Sequence, residues 1–276
     1  MNGFLRINKL HMINLVVNFL VKSPLYPHWL ENVKMQKGNE IVLKDIGGDV
    51  MEVGCGDSSR KLVLLEKHKD ITKYIATDYS SWDGAFEKMN EKVKKWNNLG
   101  SIFFGYQKRA PVDKVCSATA LSFEDATFDY HLSFEVLEHI NDPEKYFSEA
   151  ARVLKPDGSI IFSVPFLYRM HGGEPSYKFD YFRYLNGFFY EIAKKNNLEV
   201  VQIYSNTGYG TTMASLTNQW IIRRIMESTI LTRILFFICS PFIFILTNLS
   251  GLVIDSFPDN RFATRFHVIL KKINKS

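Results

Sequence analysis

The stretch VMEVGCGDSSRKL, residues 50–62, fixes what kind of fold this chain can adopt. A short apolar run ends in Glu-Val-Gly-Cys-Gly, and a Ser/Asp cluster then opens a segment with helical texture. Glycines where a strand turns into a helix let the backbone approach a ligand closely, as in nucleotide-binding turns. Here the pattern is Gly54-Cys-Gly56-Asp-Ser-Ser59, so the third glycine of G-x-G-x-x-G is missing, and no Gly-Lys-Ser/Thr follows. Glu52, just before the first glycine, would repel a pyrophosphate but suits a cationic ligand with an amino group or a sulfonium. Asp78, at the end of the next apolar run, is placed to accept hydrogen bonds from ribose hydroxyls. An amino-acid nucleoside fits both acids; a dinucleotide fits only the second.

Outward from this turn, strands alternate with helices. Strands are expected at residues 49–53, 73–78, 113–118, 128–134, 159–165, 198–205 and 265–272. Ser58 or Ser59 is expected to cap a helix running to about His68. A polar helix is expected over 83–98 and a further helix over 184–197. Asn141 or Asp142 with Pro143 opens another helix, whose Phe147, Ala150, Ala151 and Leu154 share a face, and Pro156-Asp-Gly158 ends it. The alternation implies an α/β fold, a doubly wound and mostly parallel seven-stranded sheet with helices on both faces. Ligands of such sheets bind beyond the C-terminal ends of the strands, where the unusual residues fall.

The segments VMEVGCGDS, IATDYS and ALSFEDATFDYHLSFEVLEHINDPEKYFSEAARVLKPDGSIIFSVP agree in order and spacing. Together they resemble a class I S-adenosylmethionine-dependent methyltransferase over residues 45–206 plus the last strand. The resemblance is to the branch with LEH after the fourth strand, including methyltransferases of sugar and polysaccharide clusters. It implies S-adenosylmethionine as cofactor, with Glu52, Gly54, Cys55 and Gly56 forming the turn under its methionine portion. Asp78 would bind the ribose and Tyr79 would lie beside the adenine. Ser117 and Ala118 stand where the family holds adenine; many members have Asp at the position of Ser117. Phe134 and Glu135 lie where the fourth strand meets the cofactor. Ser58 replaces a frequent glycine.

Methyl transfer to a hydroxyl benefits from a base, and His suits that role near neutral pH. His139 and His171 follow strands four and five and are the catalytic candidates. Tyr168, Asp180 and Arg183, in an aromatic and polar loop, are the candidate acceptor-binding residues; the alternative is an Asp180–Arg183 pair that merely orders the loop. No metal ligands are expected. The expected acceptor is a sugar, a glycan or a lipid-linked small molecule. A catalytically silent scaffold or membrane-associated protein with this fold is the alternative, and a nicotinamide oxidoreductase is disfavoured by Glu52 and the missing glycine.

Composition sets further bounds. The 276 residues carry a net charge of +5 without a dense Lys/Arg stripe, which argues against a nucleic-acid partner. Three scattered cysteines form no zinc or disulfide pattern and fit a reducing, cytoplasmic setting. Residues 8–22 read as a packed amphipathic helix rather than a signal peptide, and residues 1–40 as a helical lid over the 41–206 core. Residues 207–261 form a hydrophobic insertion before the last strand at 262–276. Residues 234–254 hold no charge, with Arg223, Arg224 and Arg233 before them and Pro241 expected to kink or break the segment. A single spanning helix would separate strands six and seven of one sheet. The expectations are therefore contact with one membrane leaflet, at the inner face, or burial of 230–254 against the domain or in a homodimer.

Overall fold

A computed structural model describes residues 19–56, 58–79, 112–171, 179–257 and 259–274. The helices expected over 8–22 and 83–98 lie largely or wholly outside them. The order of elements is α1 (Trp29–Val42), β1 (Gly48–Val53), α2 (Ser59–Lys67), β2 (Ile71–Asp78), β3 (Lys114–Val115), β4 (Phe128–Phe134), α3 (Pro143–Val153), β5 (Leu154–Pro165), α4 (Asn186–Lys195), β6 (Leu198–Tyr204), α5 (Tyr209–Glu227), α6 (Ile230–Ile254) and β7 (Arg265–Lys272). Short 3-10 turns occupy Leu137–His139 and Asn260–Phe262.

The seven strands form one sheet in the order β3-β2-β1-β4-β5-β7-β6. All pairs are parallel except those of β7, which runs antiparallel to β5 and β6. The mostly parallel, doubly wound sheet expected from the alternation is therefore present. Period-two alternation sorts the core into two layers. Val50, Leu132 and Ile161 face a cluster containing Leu64 of α2 and Val42, Leu43 and Ile46. Phe162, one residue further along β5, faces the other way, its ring between Phe147 of α3 and Phe189 of α4 at 5.5 Å from each. The Gly54–Gly56 turn lies at the C-terminal end of β1, beside this buried centre.

Local departures have local causes. β3 is two residues long because Ser117 bridges back to Ala120 and turns the chain. β5 begins at Leu154 instead of Ser159, since the Pro156-Asp-Gly158 segment passes through Asp157 at φ 62° while the flanking residues stay paired with β4. Ser58 precedes α2 but does not cap it with its side chain; its hydroxyl donates to Cys55 Sγ at 3.2 Å. Asp142 caps α3 as expected, accepting from the Lys145 N–H at 3.0 Å.

Among the described residues the chain divides into two units. One comprises 37–79, 112–206 and 264–274 and holds the whole sheet; the other comprises 19–36 and 207–263. In the second unit α5 and α6 form an antiparallel hairpin. Gly210 and Gly251 sit at its crossing, so close that a Cβ on Gly251 would lie 2.7 Å from the Gly210 carbonyl oxygen, and one on Gly210 would overlap the Gly251 carbonyl. Contrary to the expected break, Pro241 lies inside one continuous helix. Proline deprives the Phe237 carbonyl of its helical donor, and the Ser240 hydroxyl supplies a replacement at 3.0 Å. Among the described residues, 11% of the most apolar stretch of α6 is buried.

Gly210→Ala should therefore lower the thermal unfolding midpoint, by the ~1–3 kcal/mol typical of overpacking. Gly187→Ala, where an added Cβ meets nothing within 4 Å, should leave it unchanged or raise it. Equal effects of the two changes would remove the close crossing from the account.

Candidate functional site

The site is built at the C-terminal ends of β1, β2, β4 and β5. Gly54 and Gly56 both have positive φ, +65° and +56°, a conformation open to glycine at little cost. Gly54 also lacks room, because a Cβ there would overlap the Val136 side chain beyond β4. Gly56 is the opposite case: nothing lies within 4 Å of an added Cβ, so the turn opens outward there. Ser58 takes φ 53°, the conformation a glycine would favour at that place.

Asp78 ties the next strand to the turn. Its Oδ2 accepts the Gly56 N–H at 2.9 Å and its Oδ1 the Tyr79 N–H at 2.7 Å. Tyr79 is 78% exposed beside it. The Cys116 N–H donates to the Asp78 carbonyl at 2.9 Å, which places Ser117 and the buried Ala118 on the same edge. The Ser117 hydroxyl accepts from the Thr119 N–H at 3.2 Å.

Glu52 is fully buried, and internal partners hold both its oxygens: the Arg60 guanidinium on Oε1 and the Tyr74 hydroxyl at 2.7 Å on Oε2. Burial and the neighbouring carboxylate push the Tyr74 phenol well above its ordinary value. Arg60 also stacks 4.0 Å over the Phe134 ring. Burial pushes the Cys55 thiol up to about 12, which keeps it protonated and unreactive.

After β4, Glu135 takes φ 55° and directs its carboxylate to the Ser163 hydroxyl at 2.7 Å and to Arg265 at 3.3 Å. A 3-10 turn then carries Glu138, fully buried, whose two oxygens have no hydrogen-bond partner among the described residues. Two imidazoles face it. His171 Nε2 lies 3.3 Å and His139 Nε2 3.7 Å from Glu138 Oε1, with ring centroids 4.9 Å apart. The Phe179 carbonyl, 2.8 Å from His139 Nδ1, can only accept, so His139 carries its proton on Nδ1 and presents a lone pair at Nε2. His171 Nδ1 lies 3.6 Å from Asp180 Oδ2, and the Tyr168 ring stands 5.7 Å away.

Asp180 and Arg183 form a two-pronged pair, 2.5 and 2.8 Å. Burial alone would raise the Asp180 carboxyl; Arg183 and the His171 N–H outweigh it and hold it at about 2. The pair organises the loop that carries His171. The sequence reading omitted Glu138, although LEH was in view, and named no metal ligands. Glu138, His139 and His171 each offer one donor atom, all within 4.8 Å of one another, a set of the kind that binds zinc.

Residues 51–162 match the family model described as a methyltransferase domain. The chain carries a class I S-adenosylmethionine-dependent methyltransferase domain. S-adenosylmethionine is the cofactor of this methyltransferase domain, and the open glycine turn beside Asp78 fits it. The chain is 34% identical over 95 residues to phosphoethanolamine N-methyltransferase 2 of Caenorhabditis elegans, covering 34% of this chain and 20% of that protein. It is 29% identical over 147 residues to the mitochondrial ubiquinone biosynthesis O-methyltransferase of Dictyostelium discoideum, covering 48% and 39%. The chain thus spans less than half the length of either relative. The O-methyltransferase of a trans-AT polyketide synthase of Brevibacillus brevis, solved with S-adenosyl-L-homocysteine, shares the fold at a TM-score of 0.50 and 14% identity, covering 87% of this chain and 72% of that one.

The depressed Asp180 carboxyl contributes stability above the unfolded value near 3.9, and that contribution is lost as pH falls toward about 2. Asp180→Asn should cost roughly 2 kcal/mol in urea unfolding at neutral pH. The gap to the parent should narrow below about pH 4; a gap independent of pH would dissociate it from this ion pair.

Proposed function

We propose that the chain methylates a hydroxyl on a sugar, glycan or lipid-linked small molecule, with His139 as proton acceptor. When bound, S-adenosylmethionine would supply a methyl group whose carbon bonds to the acceptor oxygen as its bond to sulfur breaks, with S-adenosylhomocysteine leaving and the hydroxyl proton passing to His139. Glu52, Gly54, Cys55, Gly56, Asp78, Tyr79, Ser117, Ala118, Phe134 and Glu135 would hold the cofactor, as the strand-end geometry favours. Asp78 fixes the turn through the Gly56 N–H, so its loss removes both a ligand contact and the turn's anchor. Glu52, already neutralised by Arg60, would act by shaping the turn rather than as a free anion.

The observation that carries the reading is the Glu138–His139–His171 cluster beyond β4. A lone pair at His139 Nε2 facing the Glu138 carboxylate is repelled by it. A proton taken from the acceptor hydroxyl would pass to Nε2, which lies 3.7 Å from Glu138 Oε1. His171, between Glu138 and Asp180, braces the acid, while Tyr168, Asp180 and Arg183 form the acceptor side. A lipid-linked acceptor is favoured by the outward apolar face of α6. The second reading, supported by the convergence of the same three donors, is a divalent cation held there to polarise the acceptor oxygen.

Asp78→Ala should weaken S-adenosylmethionine binding by ~1.5–3 kcal/mol in calorimetry, the cost of a lost hydrogen bond to a charged group. His139→Ala should lower S-adenosylhomocysteine formation on an identified acceptor by ~10²–10⁴-fold with cofactor affinity unchanged. Full activity in His139→Ala would end the proton-acceptor role, and loss of activity to a chelator, restored by zinc, would favour the cation reading.

A further inference from the structure

We propose that the α5–α6 hairpin is embedded in the hydrocarbon of an anionic phospholipid membrane. The inference does not depend on methyl transfer. Its basis is that the hairpin is built with polar groups inside and apolar groups outside. The residues buried along α6 are Ser240, Phe244, Asn248 and Gly251, and those buried along α5 include Thr211, Thr212, Ser215, Asn218 and Gln219.

These polar groups satisfy one another and the 19–36 segment. Asn248 Nδ2 donates to the Pro24 and Tyr26 carbonyls at 2.9 and 3.0 Å, and Asn218 Nδ2 to that of Pro27 at 2.8 Å. Thr247 Oγ1 donates to Asn218 Oδ1 at 2.6 Å, and Ser215 Oγ to Glu31 at 2.7 Å. In water the stable arrangement is the reverse, with apolar faces inward. In hydrocarbon, polar side chains turn inward to pair and small residues let helices approach closely, as Gly210 and Gly251 do here.

The outer face matches lipid along its whole length. Leu231, Leu235, Phe237, Ile238, Phe242, Leu246 and Val253 are each at least 60% exposed. A run this long exceeds the apolar patches that water-exposed monomers carry. Residues 234–254 lie between the charges of Arg233 and Asp255. At about 1.5 Å per residue they extend roughly 30 Å, the thickness of a bilayer's hydrocarbon. At the turn of the hairpin Glu227 pairs with Arg223 and Arg224, while Arg233 donates to the Met226 and Ser228 carbonyls, which leaves a positive excess for phosphate groups. Because the helices are antiparallel, the chain enters and leaves the hairpin at one end. Embedding therefore does not pull β6 and β7 apart, which removes the objection raised for a single helix.

The test is flotation of the full chain with phosphatidylcholine vesicles containing phosphatidylglycerol. The parent protein should float, and omission of phosphatidylglycerol should weaken binding, by roughly fivefold for each arginine engaged. Leu235→Ser, Phe237→Ser, Phe242→Ser and Leu246→Ser together should abolish flotation while circular dichroism stays native. As a readout that needs no variant to fold, Cys239 can be labelled with an environment-sensitive dye, since Cys55 and Cys116 are buried. Its emission should shift to the blue on adding vesicles. Two results overturn the proposal: a dye that reports water with vesicles present, or a detergent-free dimer that the four serines split into monomers.

Discussion

Val136 packs where a side chain on Gly54 would be, and the candidate site depends on that one contact. It brings the turn after β1 against the chain leaving β4, two strands paired in parallel register. Left-handed backbone at Gly54, Gly56, Ser58 and Glu135 then directs both strand exits into the same region. Such conformations cost energy at Ser58 and Glu135, and strain of this kind collects at functional sites. Asp78 adds the third strand end through two backbone hydrogen bonds.

Around this junction four buried or half-buried acids meet different fates. Glu52 is held by Arg60 and Tyr74, Glu135 by Ser163 and Arg265, and Asp180 by Arg183. Glu138 alone among them has no hydrogen-bond partner among the described residues, and the imidazoles of His171 and His139 lie 3.3 and 3.7 Å from its Oε1. A buried acid left without a hydrogen bond is costly. That sets Glu138, His139 and His171 apart from the acids that serve packing.

Much of this was legible in the sequence because it is local. The Gly turn, Asp78 and the LEH segment each stand at or just beyond the end of a strand, and Asp142–Pro143 announces a helix start. What escaped depends on contacts between distant residues. Arg265 reaches Glu135 across the whole insertion, and Tyr74 closes on Glu52 only once β1 and β2 align. The Asp180–Arg183 pair was visible as an alternative because the two stand three residues apart. In the insertion the apolar run hid the few polar residues that form its inner seam, and the helix continues through the proline that was expected to kink or break it.

A cationic amino-acid nucleoside, not a dinucleotide, is the ligand proposed for the turn at residues 52–56. Calorimetric titration of the full chain with S-adenosylmethionine and, separately, with NADH tests this most directly. The predicted result is saturable binding of S-adenosylmethionine at one site and no heat with NADH. Saturable binding of NADH with none of S-adenosylmethionine would contradict it.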